Sequence, residues 1–254
     1  MTRFLTFDES PELAEGYSRE AEEFWPPNME FVHHDPVCRA FWPRLAGEFR
    51  AFQFIVYDCS NDRFLAQGNT IPFHWSGRDG DLPDGVPAVL QQAFREREEG
   101  TRATSLCALL AGVQPRAKST GLSAELVRYM KEIARRAGLS SLVAPVRPNL
   151  KERYPRTPME RYVKWRRPDG LLFDPWLRTH ERLGARFAGI AREGNVFRGT
   201  VTEWEGWTGL SLPESGEYVV PGAMNPVVID RDRDEGVLTE PNVWMVHVIG
   251  ESED

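Results

Sequence analysis

A chain of 254 residues with 31 Lys and Arg against 38 Asp and Glu carries a formal net charge of −7. With 41% hydrophobic residues, 14 Phe and 8 Trp, it has the composition of a folded globular protein, which excludes a disordered chain. Net acidity argues against nucleic-acid and anionic-membrane partners, but the charge is uneven: residues 1–113 carry −8, residues 114–198 carry +11 and residues 199–254 carry −10.

In chain order, Arg3 to Phe7 alternates as a short strand, and Ser10-Pro11-Glu12 reads as N-cap, N1 proline and first-turn acid of a helix. Asp35-Pro36 repeats that signal before a helix with Phe41, Leu45 and Phe49 on one face. Phe52–Asp58 and Phe64–Pro72 predict a hairpin around Cys59-Ser60-Asn61-Asp62. Residues 76–87 form a loop by composition, and Ala88–Glu99 reads as a helix.

Leu106–Val113 is a continuous apolar run, which predicts a strand buried on both faces. A helix starts near Gly121, with Leu122, Leu126, Met130 and Ile133 on one face and Gly138 as its stop. Leu142–Val146 is the next buried strand, so the basic third contains a βαβ unit. Prolines break Arg147–Trp176 into a surface loop, a helix covers Trp176–Leu183, and antiparallel strands are expected around Phe197–Trp204, Tyr218–Val220, Val227–Ile229 and Val243–Ile249.

No apolar run approaches the ~18 residues of a membrane-spanning helix, and the first residues lack a signal core. Cys38, Cys59 and Cys107 are too few and too irregular for a disulfide framework, so reduced, mostly buried cysteines and a cytoplasmic location are expected. His33, His34 and Cys38 lack a further ligand cluster nearby, so no metal is expected.

The stretch Val113-Gln114-Pro115-Arg116-Ala117-Lys118-Ser119-Thr120-Gly121-Leu122-Ser123 joins the buried strand to the amphipathic helix. Its glycine permits close backbone approach, and the first N–H groups of the helix suit a phosphate. This turn resembles the signature of the GNAT superfamily of acyl-CoA-dependent acyltransferases: Val, x, Pro, a short spacer, Arg or Gln, x, x, Gly, x, Gly or Ala. Val113, Pro115 and Gly121 match; Lys118 takes the Arg or Gln position and Ser123 the last small one. The order of elements resembles the family over essentially the whole chain.

The resemblance implies a mixed, mostly antiparallel α/β sheet flanked by helices, in one domain over residues 1–254, with an Arg/Pro-rich insertion at 149–176 and a strand-rich extension at 199–254. It implies acyl transfer from acetyl-CoA or another acyl-CoA to an amine of a small molecule by direct transfer in a ternary complex. Lys118, Ser119, Thr120, Gly121, Leu122 and Ser123 would hold the pyrophosphate, Ala111 and Val113 the pantetheine arm, and Asn149 marks the exit of the following strand. His180 stands where the family carries a Tyr that protonates the leaving thiolate.

Tyr154 is the rival acid, and Glu203, spaced with Glu205 on one face of an expected strand, is the candidate base. The arginines of the insertion suit an anionic group on the acceptor or the cofactor's 3′-phosphate, or else they pair with the acidic C-terminal third. Nucleic acid is a disfavoured partner, no membrane is expected, and a homodimer is an allowed assembly. The altered turn and the missing Tyr keep two alternatives open, an acyl-CoA sensor or scaffold without turnover and a carrier-protein-linked or tRNA-linked donor.

Overall fold

The computed structural model describes residues 2–12, 27–117 and 120–250. One continuous sheet runs through it, with strands β1 (Thr2–Thr6), β2 (Gln53–Asp58), β3 (Arg63–Phe73), β4 (Ser105–Val113), β5 (Ser141–Val146), β6 (Arg186–Gly199), β7 (Gly216–Tyr218), β8 (Val227–Asp230) and β9 (Glu235–Val248). The hydrogen-bonded order is β1-β2-β3-β4-β5-β9-β8-β7, and β6 pairs along β9 as well. Only β4 and β5 are parallel; every other pair is antiparallel.

The helices are α1 (Pro36–Glu48), α2 (Gly85–Glu99), α3 (Leu122–Arg136), α4 (Met159–Tyr162), α5 (Pro175–Arg182) and α6 (Val201–Thr208). Asp35 caps α1 by accepting the Cys38 N–H at 2.7 Å. Pro11 and Glu12 are helical, as expected after Ser10, and the residues that follow Glu12 lie outside the described ones.

Period-2 alternation splits the sheet into two faces. Ile71, Phe73, Cys107, Val143, Trp244 and Val246 pack with α1 and α2. Phe54, Val56, Ala66, Leu106 and Leu142 pack with Leu126, Val127, Met130, Ile133 and Ala134 of α3. Each such aliphatic side chain, fully buried, contributes about 1.5–3 kcal/mol. The long Arg186–Gly199 strand escapes a sequence reading because Gly189 and Gly194 interrupt its pattern; the register shifts fall at those glycines.

Three expectations need correction. Glu203 and Glu205 lie on α6, not on a strand, because Thr200 and Glu203 close a reciprocal capping box that starts a helix there. Cys59 is exposed in the β2–β3 turn, whereas Cys107 is buried. Residues 147–176 are more than a surface loop, since Lys151, Met159 and Tyr162 are buried. The tryptophans have structural partners: Trp204 donates to the Gly236 carbonyl at 2.8 Å and Trp244 to the Pro83 carbonyl at 3.1 Å.

Candidate active site

The feature that shapes a site is the early parting of β4 and β5. They pair only at Ser105–Ser141, Leu106–Leu142 and Cys107–Val143, yet β4 runs on to Val113 and β5 to Val146. The cause lies on the other edge of β4, where Thr70 faces Ala108 and Asn69 faces Leu110, so Leu109 has no partner on β3. A bulge of this kind bends the strand, and β4 swings away from β5 just beyond Cys107. Ser105, Leu106 and Cys107 are buried, whereas Ala108, Leu109, Leu110 and Ala111 are half-buried along the opened wedge.

Gln114 donates its backbone N–H to the Leu65 carbonyl at 2.9 Å, so position 114 faces β3. Successive strand residues offer their backbone groups to opposite edges, which turns those of Val113 and Ala111 into the wedge. The chain then passes Pro115–Ala117 to Gly121, whose φ of +86° is a left-handed conformation that suits glycine. No side chain caps α3 among the described residues, so the N–H groups of Leu122 and Ser123 have no partner there, at the positive end of the helix dipole. A Cβ at Gly121 would meet nothing within 4 Å. This open cradle at the mouth of a strand wedge fits a pyrophosphate-bearing thioester such as acyl-CoA.

Other sequence-predicted residues fall around it unevenly. Lys118 and Ser119 lie outside the described residues. Thr120 is exposed and bonds the Ala117 carbonyl at 2.8 Å, and Leu122 and Ser123 are half-buried in the first turn of α3. Arg116 is tied to the Phe64 carbonyl at 3.1 Å. Asn149 is exposed in the turn that leaves β5. Tyr154 is 36% exposed, its ring packed on Tyr162, Trp165 and Phe173, and its hydroxyl has no hydrogen-bond partner among the described residues.

His180 is buried instead of facing solvent. Its Nδ1 meets Nε2 of His247 on β9 at 3.0 Å, while His180 Nε2 and His247 Nδ1 have no hydrogen-bond partner among the described residues. Burial first, then His247, lowers the His180 pKa to about 3; burial and Lys131 lower that of His247 to about 4. A neutral, enclosed imidazole lacks the proton that an acid at this position must give, which corrects that expectation. Glu203 is unsuited as a base: the Thr200 backbone N–H and hydroxyl occupy its carboxylate and hold its pKa low.

Sequence reasoning missed two knots that fix the open end of the wedge. Asp174 accepts from the Leu150 N–H (2.8 Å), the Tyr162 hydroxyl (2.9 Å) and the Trp176 and Leu177 N–H groups (2.9 and 3.2 Å), tying the exit of β5 to α5. The signal was Asp174-Pro175, the same cap-and-proline pair read correctly at Asp35-Pro36. Arg147, next after β5, forks onto buried Glu240 at 2.7 and 2.9 Å, and Glu240 also accepts the Met224 N–H at 2.6 Å. Removing one partner of such a pair costs about 3–5 kcal/mol because the other charge stays buried. Nothing in the linear sequence joins positions 147 and 240.

Lys151 is fully buried and donates to the Tyr154 and Met224 carbonyls at 3.0 and 2.6 Å; burial lowers its pKa to about 8. In the insertion, Arg166 pairs with Glu181 at 2.6 Å and Arg167 with Asp169 at 3.4 Å. Arg153, Arg156, Arg161 and Lys164 are exposed and have no ion pair among the described residues. The expected pairing of these arginines with the acidic C-terminal third is therefore not seen there. A separate concavity of about 770 Å³ lies between α4, α5, β6 and β9, floored by Leu172, Leu177, Ile190, Val243 and Met245, and includes no residue of β4. No group of three or more His, Cys, Asp and Glu that could hold a metal occurs among the described residues. No described helix is long and apolar enough to cross a membrane.

No family model matches the chain. It is 31% identical over 252 residues to the arginine N-acetyltransferase avaD of Aspergillus versicolor, with 89% of this chain and 85% of the relative covered. Its fold is that of the loading GNATL domain of CurA from Lyngbya majuscula, with a TM-score of 0.60, 15% identity and 98% of each chain covered. The GphF GNAT-like decarboxylase, solved in complex with isobutyryl-CoA, superposes with a TM-score of 0.57 at 16% identity over 98% of this chain and 100% of that one.

Proposed function

Because this chain belongs to the GNAT superfamily of acyl-CoA-dependent N-acyltransferases, we propose that its β4–β5 wedge takes acetyl-CoA or a related acyl-CoA and passes the acyl group to an amine of a small, arginine-like molecule. The protein is an enzyme that moves an acyl group from acyl-CoA to an amine. The observation that carries the assignment of the site is the bulge at Leu109, which opens β4 onto the uncapped N-terminus of α3. The domain is single, with 149–176 as an insertion, and residues 199–254 supply β7 to β9, of which β9 joins β5 to β6 within the sheet.

Acyl-CoA supplies an activated thioester when bound. Backbone groups of Ala111 and Val113 hold the pantetheine arm as an added strand would, and one backbone N–H polarises the carbonyl. The N–H groups of Leu122 and Ser123, with Thr120, Gly121, Lys118 and Ser119, hold the pyrophosphate. Asn149 borders the exit of β5, and the exposed cations Arg153, Arg156, Arg161 and Lys164 receive the 3′-phosphate or an acceptor carboxylate. Placing the two reactants together does most of the work.

The amine nitrogen bonds to the carbonyl carbon, the C–S bond breaks and the sulfur takes a proton. Tyr154 is the proposed donor of that proton, since its hydroxyl has no competing partner. Water takes the proton lost by the amine, because Glu240 and Asp174 are already occupied by donors.

The test mixes the protein with acetyl-CoA and a panel of amines that includes arginine and reads free thiol. Amine-dependent release is expected, and Tyr154→Phe is expected to lower kcat about 100-fold with CoA binding unchanged. Binding without release would instead make the protein a sensor, and release only from a carrier-linked thioester would change the donor.

A further inference from the structure

Several polar side chains are buried around the bulge, Gln53, Gln67, Asn69 and Thr70 among them. Asn69 on β3 stands at the register shift, opposite Leu110, and is buried with only 7% of its surface exposed. By alternation it shares the face of Ile71 and Phe73, away from α3. Its Oδ1 has no hydrogen-bond partner among the described residues, although buried polar atoms are almost always paired.

The orientation of this amide follows from its neighbour. Gln53 donates its Nε2 to two backbone carbonyls, Phe49 at 2.9 Å and Thr70 at 2.8 Å. Its Oε1 can therefore only accept, and it accepts from Asn69 Nδ2 at 3.0 Å. With the nitrogen committed to Gln53, the oxygen is left without a partner among the described residues and is itself buried. Gln114, on the same face four residues further along β4 from Leu110, carries a second buried orphan, the donor Nε2.

We propose that Asn69 is a substrate-contacting residue whose Oδ1 accepts an N–H from the acceptor amine or guanidinium as it approaches the thioester across the bulge. Gln53 is a positioning residue that locks this orientation. The inference rests on the wedge being the acyl-transfer site and adds the side of the sheet from which the acceptor comes. A carboxamide orients a donor without taking its proton, so Asn69 fixes geometry and is not the base.

The test compares initial rates over acceptor and acetyl-CoA concentrations for wild type, Asn69→Leu, Asn69→Ala and Asn69→Asp. Leucine matches the shape and alanine adds no bulk, so one reads out if the other folds poorly; aspartate removes the Nδ2 donor to Gln53. The acceptor KM is expected to rise about tenfold or more in the leucine and alanine variants, with the acetyl-CoA KM, the CoA affinity and the pH profile unchanged. In Asn69→Asp a carboxylate oxygen replaces Nδ2 against Gln53 Oε1, so the orientation is lost and the acceptor KM is expected to rise as well. Wild-type acceptor KM in a leucine or alanine variant that binds CoA overturns the proposal. Failure of the wild type to release thiol with any amine would strike the acyl-transfer reading instead.

Discussion

Gly121→Val is expected to weaken CoA binding by up to about 30-fold in a calorimetric titration, while Gly138→Val leaves it unchanged. Both glycines hold left-handed backbone, with φ of +86° and +66°, and neither would crowd a neighbour with a Cβ. A side chain at such a position costs on the order of 1–2 kcal/mol, more when β-branched, and this strain is common to the two variants. They differ in position, since Gly121 opens α3 and Gly138 follows its last turn. Only at Gly121 does relief of the strain move the N–H groups that face a phosphate, an interaction that contributes up to about 2 kcal/mol. Equal loss of affinity in both variants would mean that fold stability, and not the cradle, was being read.

Stability is expected to fall by roughly 2 kcal/mol for each of His180 and His247 as the pH drops from 7 to 5. Above pH ~6.5 the imidazoles are neutral in both folded and unfolded chains, and the pair is indifferent to pH. Below it the unfolded chain binds protons that the folded chain refuses, because burial holds the folded pKa values near about 3 and about 4. Stability therefore declines through that window, which for a chain of this size lowers Tm on the order of 10 °C by pH 5. Carboxylates titrate in the same range, so the comparison is with the double variant His180→Leu/His247→Leu, whose decline from pH 7 to 5 should be visibly shallower. The same slope in both proteins would show that the pair protonates freely. It would also return His180 to contention as an acid.

These two predictions differ in how far the sequence led to them. The turn from Val113 to Ser123 was legible because a continuous apolar run, a proline stop, a glycine and a 3.6-residue pattern all occur within one short stretch. Local physics determines such an element, and α3 begins at Leu122, as its spacing suggests. The His180–His247 contact joins positions 67 residues apart, and no local pattern encodes it. The bulge is a subtler case: Ala108-Leu109-Leu110-Ala111 has no glycine or polar residue to mark it, and only the register against β3 reveals Leu109 as the extra residue.

Misread elements followed a related logic. Apolar–polar alternation around Phe197 to Trp204 suggests a strand with Glu203 and Glu205 on one face, but Thr200-x-x-Glu203 is the stronger local signal, that of a helix start. Asp174-Pro175 carries the same cap signal as Asp35-Pro36. Gln53 and Asn69 look unremarkable in sequence. Their significance arises from pairing across β2 and β3, which commits one amide and leaves the other's oxygen bare.

The central claim is that acyl-CoA lies along the free edge of β4. It is tested most directly by amide hydrogen exchange, measured residue by residue by NMR with and without CoA. Ala111 and Val113, whose N–H groups face the wedge, should exchange more slowly with CoA, together with Gly121, Leu122 and Ser123. Leu110, Gly112 and Gln114 face β3 and should change little. Protection confined to the concavity between α5 and β6, with Ala111 and Val113 unaffected, would contradict the account.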